Sequence, residues 1–170
     1  GSYNTSLLRT LISLQPAGIE IEPIRLNGIS VYDGDDEKAT GKPAAILELD
    51  QKIRAADGVI IVTPEYNFSI PGVLKNTLDW MSRVRDGKEA PLAVYHDRAF
   101  AIGGASNGNY GAMRSLIALR QVLEIGCGAL VIPDQIAVAR AGDAFDDMDN
   151  LKDAGNASRL KAVVQSLIEF

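Results

Sequence analysis

Residues 59–80 read VIIVTPEYNFSIPGVLKNTLDW, and their order decides the fold. Val59, Ile60, Ile61 and Val62 form a continuous β-branched run, the composition of a strand buried on both faces of a parallel sheet. Pro64 ends that strand, because proline has no N–H to give to a ladder. Pro71-Gly72 then opens a helix running to about Val84, since proline suits a first helical turn whose N–H groups have no partner.

The same alternation extends in both directions. Upstream, Leu7, Leu8, Leu11, Ile12 and Leu14 recur at near-helical spacing until Pro16-Ala17-Gly18 stops the helix. Ile19, Ile21 and Ile24 read as a short strand, and VYDGDDEKATGKP (31–43) as a polar loop. Ile46, Leu49, Ile53 and Ala56 mark a second helix. Downstream, Ala99–Ile102 and Ala129–Ile132 read as strands, with a helix from Tyr110 to Glu124 between them. The tail closes with Leu160, Val163, Val164, Leu167 and Ile168 on one helical face. Alternating helices and strands predict an α/β, doubly wound parallel sheet with helices on both faces.

The chain starts at a helix N-terminus with no strand before it. In a five-stranded sheet of order 2-1-3-4-5 the first strand is internal, so its loss would leave unpaired edges in mid-sheet. A strand and the start of a loop, on the order of 10 residues, are therefore expected ahead of Gly1.

The 170 residues, 46% hydrophobic and 23% charged, fit one globular domain over 1–170. A net charge of −5 argues against a nucleic-acid partner. It does not oppose a bound phosphate, which a helix N-terminus can hold without lysine. One cysteine excludes an internal disulfide and suits a reducing cytoplasm. No apolar run approaches the ~20 residues that span a bilayer, so no membrane partner is expected.

Ligands of open α/β sheets bind beyond the carboxyl ends of the strands, and three loops fall there. Gly1-Ser2-Tyr3-Asn4-Thr5-Ser6 enters a helix and reads either as a simple N-cap or as an anion site. Thr63 to Gly72 leaves Glu65, Tyr66 and Asn67 free to present N–H groups to an acceptor-rich ring edge. Gly103 to Gly111 (GGASNGNYG) lets the backbone approach a ligand closely.

The string TPEYNFSIPGVLKNTLDW (63–80) resembles the signature PEYN-x-x-x-PG-x-LKN-x-x-DW of the NADPH-dependent FMN reductase family, which includes bacterial chromate, quinone and azo-dye reductases. GSYNTSLLR near the start and the glycine loop after Ile102 extend the likeness over essentially the whole chain. The resemblance implies a flavodoxin-like fold, FMN as cofactor, and NADPH or NADH as co-substrate. It places the backbone of Pro64, Glu65, Tyr66 and Asn67 on the flavin's pyrimidine edge, and Ser106, Asn107 and Gly108 beside the isoalloxazine ring. Ser2 and Asn4 match the end of the family's phosphate loop, whose upstream serine and arginine have no counterpart within residues 1–170.

Such an enzyme leaves the chemistry to the cofactor. Ping-pong transfer to a small-molecule acceptor is expected, with no catalytic side chain in the strict sense. The competing readings are a flavodoxin-type electron carrier and a flavin-dependent regulatory protein. Carriers usually shield the ring with aromatic residues, whereas PEYN and the Gly/Asn/Ser loop favour an open face.

His96 reads as a solvated loop residue, and with one His and one Cys no metal site is expected. Asp33–Glu37 and Asp143–Asp149 read as solvated acidic loops, the second a candidate border of the substrate pocket, and Cys127 as a small core residue. On helix 72–84, Val73, Leu74, Thr77, Leu78, Trp80, Met81 and Val84 cover an arc wider than the ~100° stripe of a surface helix. On helix 110–124, Ala112, Leu116, Leu119 and Leu123 form one stripe; Tyr110, Met113 and Ile117 form another. Two apolar faces per helix predict either a deeper core or a homo-oligomer, dimer or tetramer, through helices 72–84 and 110–124.

Overall fold

The computed structural model describes residues 2–170. Gly1, the first residue of the expected phosphate loop, lies outside them. Three parallel strands, β1 (Gly58–Val62), β2 (Ala99–Ala105) and β3 (Leu130–Val138), form a sheet of order β1-β2-β3. Gly58 faces Ala99 and Val62 faces Gly103 across the first ladder. In the second, Phe100 pairs with Val131 but Ile102 with Gln135, so β3 bulges between them. Pro133 lies in that bulge, where its missing N–H does not break a ladder bond.

Side chains alternate across β2. Phe100 and Ile102 join a core with Ile46 and Leu49 of α3 (Ala44–Ala55), Leu74 and Leu78 of α4 (Gly72–Met81), and Leu116 and Leu119 of α6 (Met113–Arg120). Ala99, Ala101 and Ala105 join the opposite core with Leu7 and Leu11 of α1 (Tyr3–Ser13) and Leu160, Val163 and Val164 of α8 (Ala154–Ile168). Helices therefore cover both faces, as the period-2 pleat requires of a doubly buried sheet. Short helices α2 (Gly34–Thr40), α5 (Ala93–His96) and α7 (Ala141–Ala144) lie in the connections, and α6 runs into a π-helical turn, Gln121–Gly126.

The sheet has three strands among the described residues rather than five. Residues 19–24, expected as a strand, join no ladder; the Ile21 N–H goes instead to the Gln15 side chain at 3.1 Å. In the order 2-1-3-4-5 the second strand neighbours only the first, and the described residues include no such strand for it to bond. The expected loop 31–43 instead contains α2. Asp33 caps it by accepting from the Asp35 N–H at 2.8 Å, and Asp35, Asp36 and Glu37 fill its first turn. Cap and dipole complementarity make this helix without burying a residue, so hydrophobic periodicity misses it.

The faces of α4 and α6 resolve differently. Trp80 is 1% exposed, its indole N–H donates to the Ser30 carbonyl at 2.8 Å, and Tyr32 packs edge-on at 4.9 Å. Its second cover is thus the chain's own 30–32 segment. Along 110–124, Leu116 and Leu119 of α6 are fully buried together with Ala112 before it and Leu123 in the π-helical turn, while Tyr110, Met113 and Ile117 are exposed.

Candidate functional site

The C-terminal ends of β1 and β2 carry the loops that the sequence singles out, and Gly104 lets them lie side by side. A Cβ at Gly104 would overlap the Thr63 carbonyl oxygen and the Ala112 methyl. Any other residue there would force β1 from β2, or the start of α6 from the sheet.

Past Thr63 the chain makes a tight reversal. Tyr66 and Ser69 exchange N–H···O bonds at 2.9 and 3.0 Å, with Asn67 (φ 48°) and Phe68 (φ 68°) at the corner. Two successive left-handed residues define the I′-type geometry. Asparagine tolerates that region, but a phenylalanine there costs about 1–2 kcal/mol. The reversal uses the Tyr66 N–H, so Tyr66 is not a free donor as the sequence reading had it. The N–H groups of Glu65 and Asn67 have no partner among the described residues.

Glu65 points inward. Its carboxylate is 5% exposed, takes the Arg114 Nε at 2.6 Å and the Arg114 backbone N–H at 3.1 Å, and touches Arg114 Nη2. Arg114, in the first turn of α6, also stacks on the Phe68 ring at 3.8 Å and lies 5.2 Å from that of Tyr110. No motif or periodicity marks Arg114, which reads in sequence as one more polar position on an amphipathic helix.

The third loop is braced against the segment after β3. Ser106 donates to Val138 at 3.1 Å and accepts from Ala141 at 3.2 Å. Asn107 Oδ1 accepts from the Gly142 N–H at 2.8 Å, and the Gly108 carbonyl from the Arg140 N–H at 3.2 Å. The N–H groups of Asn107 and Gly108 have no partner among the described residues. Nothing lies within 4 Å of a Cβ built on Gly108, so the space beside it is open to a ligand.

Ser2 occupies the N-cap position of α1, yet its side chain makes no capping bond, and no acidic residue sits in the first turn. The N–H groups of Tyr3 and Asn4 therefore point from the positive end of a helix dipole without intrahelical partners. The Asn4 side chain itself is engaged: it donates to the Ala105 carbonyl and accepts from the Ala105 N–H, each at 2.9 Å. Asn4 thus welds the start of α1 to the end of β2 and keeps only its backbone for an anion. Unpaired donors beside both strand ends, room at Gly108 and an uncapped helix start fit a flattened, acceptor-rich, phosphate-bearing group.

The remaining candidates sit elsewhere. Exposed His96 ends α5, with its ring 3.2 Å from the Cys127 carbonyl. Cys127 is buried, and burial pushes its thiol above the ordinary range. Asp146 folds on its own loop, accepting from the N–H groups of Met148 (2.9 Å) and Asn150 (2.8 Å), while Asp149 pairs with Arg9 at 2.7 Å. No group of three or more His, Cys, Asp or Glu is placed to hold a metal ion among the described residues, and no helix there is long and apolar enough to cross a membrane.

Comparison with known proteins gives the family and the fold. The family model for NADPH-dependent FMN reductase matches residues 1–143. An NAD(P)H-dependent FMN reductase of Pseudomonas aeruginosa is 36% identical over 167 residues, covering 98% of this chain and 86% of the relative. An NADPH:quinone oxidoreductase of Arabidopsis thaliana is 33% identical over 174 residues, covering 99% and 85%. Among solved structures, FerB, a flavoenzyme NAD(P)H:(acceptor) oxidoreductase from Paracoccus denitrificans, superposes with a TM-score of 0.80 at 24% identity, covering 98% of this chain and 87% of FerB. The three-stranded sheet, its two helical layers and the PEYN loop thus belong to a flavodoxin-like α/β fold, and the chain is a member of the NADPH-dependent FMN reductase family of oxidoreductases.

Proposed function

We propose that the chain reduces quinone-type acceptors with NAD(P)H through FMN held at the C-terminal ends of β1 and β2, acting as one domain over residues 1–170. The observation that carries this reading is the grouping, in the loops beyond those two strand ends, of the N–H donors of Glu65, Asn67, Asn107 and Gly108, which have no partner among the described residues. In it, Glu65 and Asn67 give their N–H groups to the flavin's pyrimidine edge, with Pro64 and Tyr66 shaping the turn. Ser106, Asn107 and Gly108 run beside the ring. Ser2 and the first-turn N–H groups of Tyr3 and Asn4 hold the phosphate.

Bound FMN supplies hydride acceptance from the nicotinamide and its delivery to the acceptor. The residues bind, orient and leave one ring face open, and no side chain serves as acid, base or nucleophile. Nicotinamide and acceptor then use the same face in turn, which is ping-pong order. Azo compounds and chromate are further acceptors wherever they reach that face. Exposed Tyr66, Phe68 and Tyr110 give the neighbouring loops apolar surface suited to planar molecules.

We also propose a homodimer or homotetramer in the cytoplasm, built through α4 and the α6 segment. Val73, Met113, Ile117 and Ile125 remain 50%, 40%, 61% and 82% exposed. A groove of about 580 Å³ between the two elements is lined by Leu78, Leu92, Val122 and Ile125 and reaches Ser69 of the PEYN turn. Exposed apolar clusters of this kind mark contact surfaces.

Steady-state oxidation of NADH and NADPH with a quinone tests the reading. Parallel double-reciprocal lines are expected. An electron carrier would bind FMN without nucleotide turnover, and intersecting lines would exclude the shared face.

A further inference from the structure

Asn67 and Phe68 stand in the left-handed region, and Phe68 is 69% exposed, so core packing does not hold it there. Arg114 does. Its guanidinium stacks on the Phe68 ring at 3.8 Å while its Nε and backbone N–H engage the two carboxylate oxygens of Glu65 at 2.6 and 3.1 Å. One residue therefore grips the turn on both sides, through an ion pair before Tyr66 and a stack at the second corner residue. The Glu65 carboxylate is nearly buried, and Arg114 is its only cationic partner among the described residues.

We propose that Arg114 is a positioning residue for the flavin: by clamping Glu65 and Phe68 it holds the strained turn in the shape that presents the Glu65 and Asn67 N–H groups together. This rests on the assignment of those two donors to the flavin edge. Arg114 contacts neither ring nor phosphate in that assignment and acts through the turn alone. Released from the clamp, Phe68 relaxes toward right-handed backbone and the two donors diverge, so binding must rebuild the turn before it can use it. Lysine cannot substitute, because a point charge supplies neither the planar fork nor the stack. The clamp also joins the PEYN loop to α6, so the flavin edge moves with the helix that follows the glycine loop.

The test uses the intact protein with FMN as probe and three readouts: Kd from quenching of flavin fluorescence, apo-protein melting temperature, and 15N amide shifts of Glu65 and Asn67. In the wild type, FMN shifts both amides. Arg114→Lys, which keeps the charge beside Glu65, is expected to fold and yet raise Kd about threefold or more; Arg114→Ala about tenfold or more. Phe68→Ala, which removes only the stack, is expected to raise Kd about twofold or more. If Arg114→Lys and Phe68→Ala both fold and bind FMN with wild-type Kd while the amides still shift, the clamp has no positioning role and the proposal falls. If FMN leaves the Glu65 and Asn67 amides of the wild type unshifted, the site assignment fails first. Should Arg114→Ala not fold, the other two variants decide.

Discussion

The Asn4 side-chain amide is paired edge to edge with the backbone of Ala105, 101 positions away, through two bonds of 2.9 Å. A side chain here completes β2 as a neighbouring strand would, and so fixes where the N-terminus of α1 stands relative to the sheet. Asn4→Ala leaves the donor and acceptor of a residue that is 1% exposed without partners. Denaturant unfolding should show a loss of about 1–3 kcal/mol. Asn4→Asp keeps the acceptor and should lose less.

Gly104→Ala should be more damaging than its size implies. The added methyl meets the Thr63 carbonyl and the Ala112 methyl, neither of which is a flexible side-chain tip. A destabilisation of about 1–3 kcal/mol is expected from overpacking, with weaker FMN binding, because the two cofactor loops are forced apart. Gly108→Ala, which meets nothing, should leave the apo-protein's melting temperature unchanged.

Trp80 is the sole tryptophan, so its emission reports one place. With Ser30 and Tyr32 of the same chain covering it, diluting the protein through oligomer dissociation should not red-shift the emission. Trp80→Phe should cost about 1 kcal/mol for the lost bond, because the Ser30 carbonyl keeps only the Asn76 side-chain amide, at 2.9 Å, as donor. Ile117→Asp with Ile125→Asp should shift the size distribution toward monomer in sedimentation while the emission stays put.

Acid should loosen the loop after α7. The Asn150 N–H, then its side-chain amide, hold the Asp146 carboxyl below its ordinary value of 3.8, against some burial. A lowered folded-state value means this contribution is present above the unfolded value and is lost as pH falls through the folded one. Melting temperature should therefore drop below about pH 4, where aspartates protonate, and the drop should be shallower in Asp146→Asn.

Wherever burial decided structure, the sequence was legible. Leu7 and Leu11 of α1, Leu160 of α8 and the stripe Ala112–Leu116–Leu119–Leu123 are buried where their spacing puts them. The β-branched run 59–62 forms strand β1, although it is half-buried at the edge of the described sheet rather than closed on both faces as its composition predicts. Elements made by other forces were not. α2 arises from a cap and charge, residues 19–24 lack a ladder partner, and Trp80 is covered by a loop with no periodicity of its own. In the candidate site, the loops were readable because glycine, proline and asparagine have few other uses in sequence. Their internal bonding was not: the Tyr66 N–H closes the turn, the Asn4 amide serves Ala105, and Arg114 is visible only once α6 lies beside the PEYN loop.

Anaerobic mixing of the FMN-loaded protein with NADPH or NADH tests the central claim most directly. The account predicts that the visible flavin absorbance bleaches with at least one nucleotide, faster than steady-state turnover, and returns when a quinone is added. A protein that binds FMN yet keeps it oxidised against both nucleotides would contradict it.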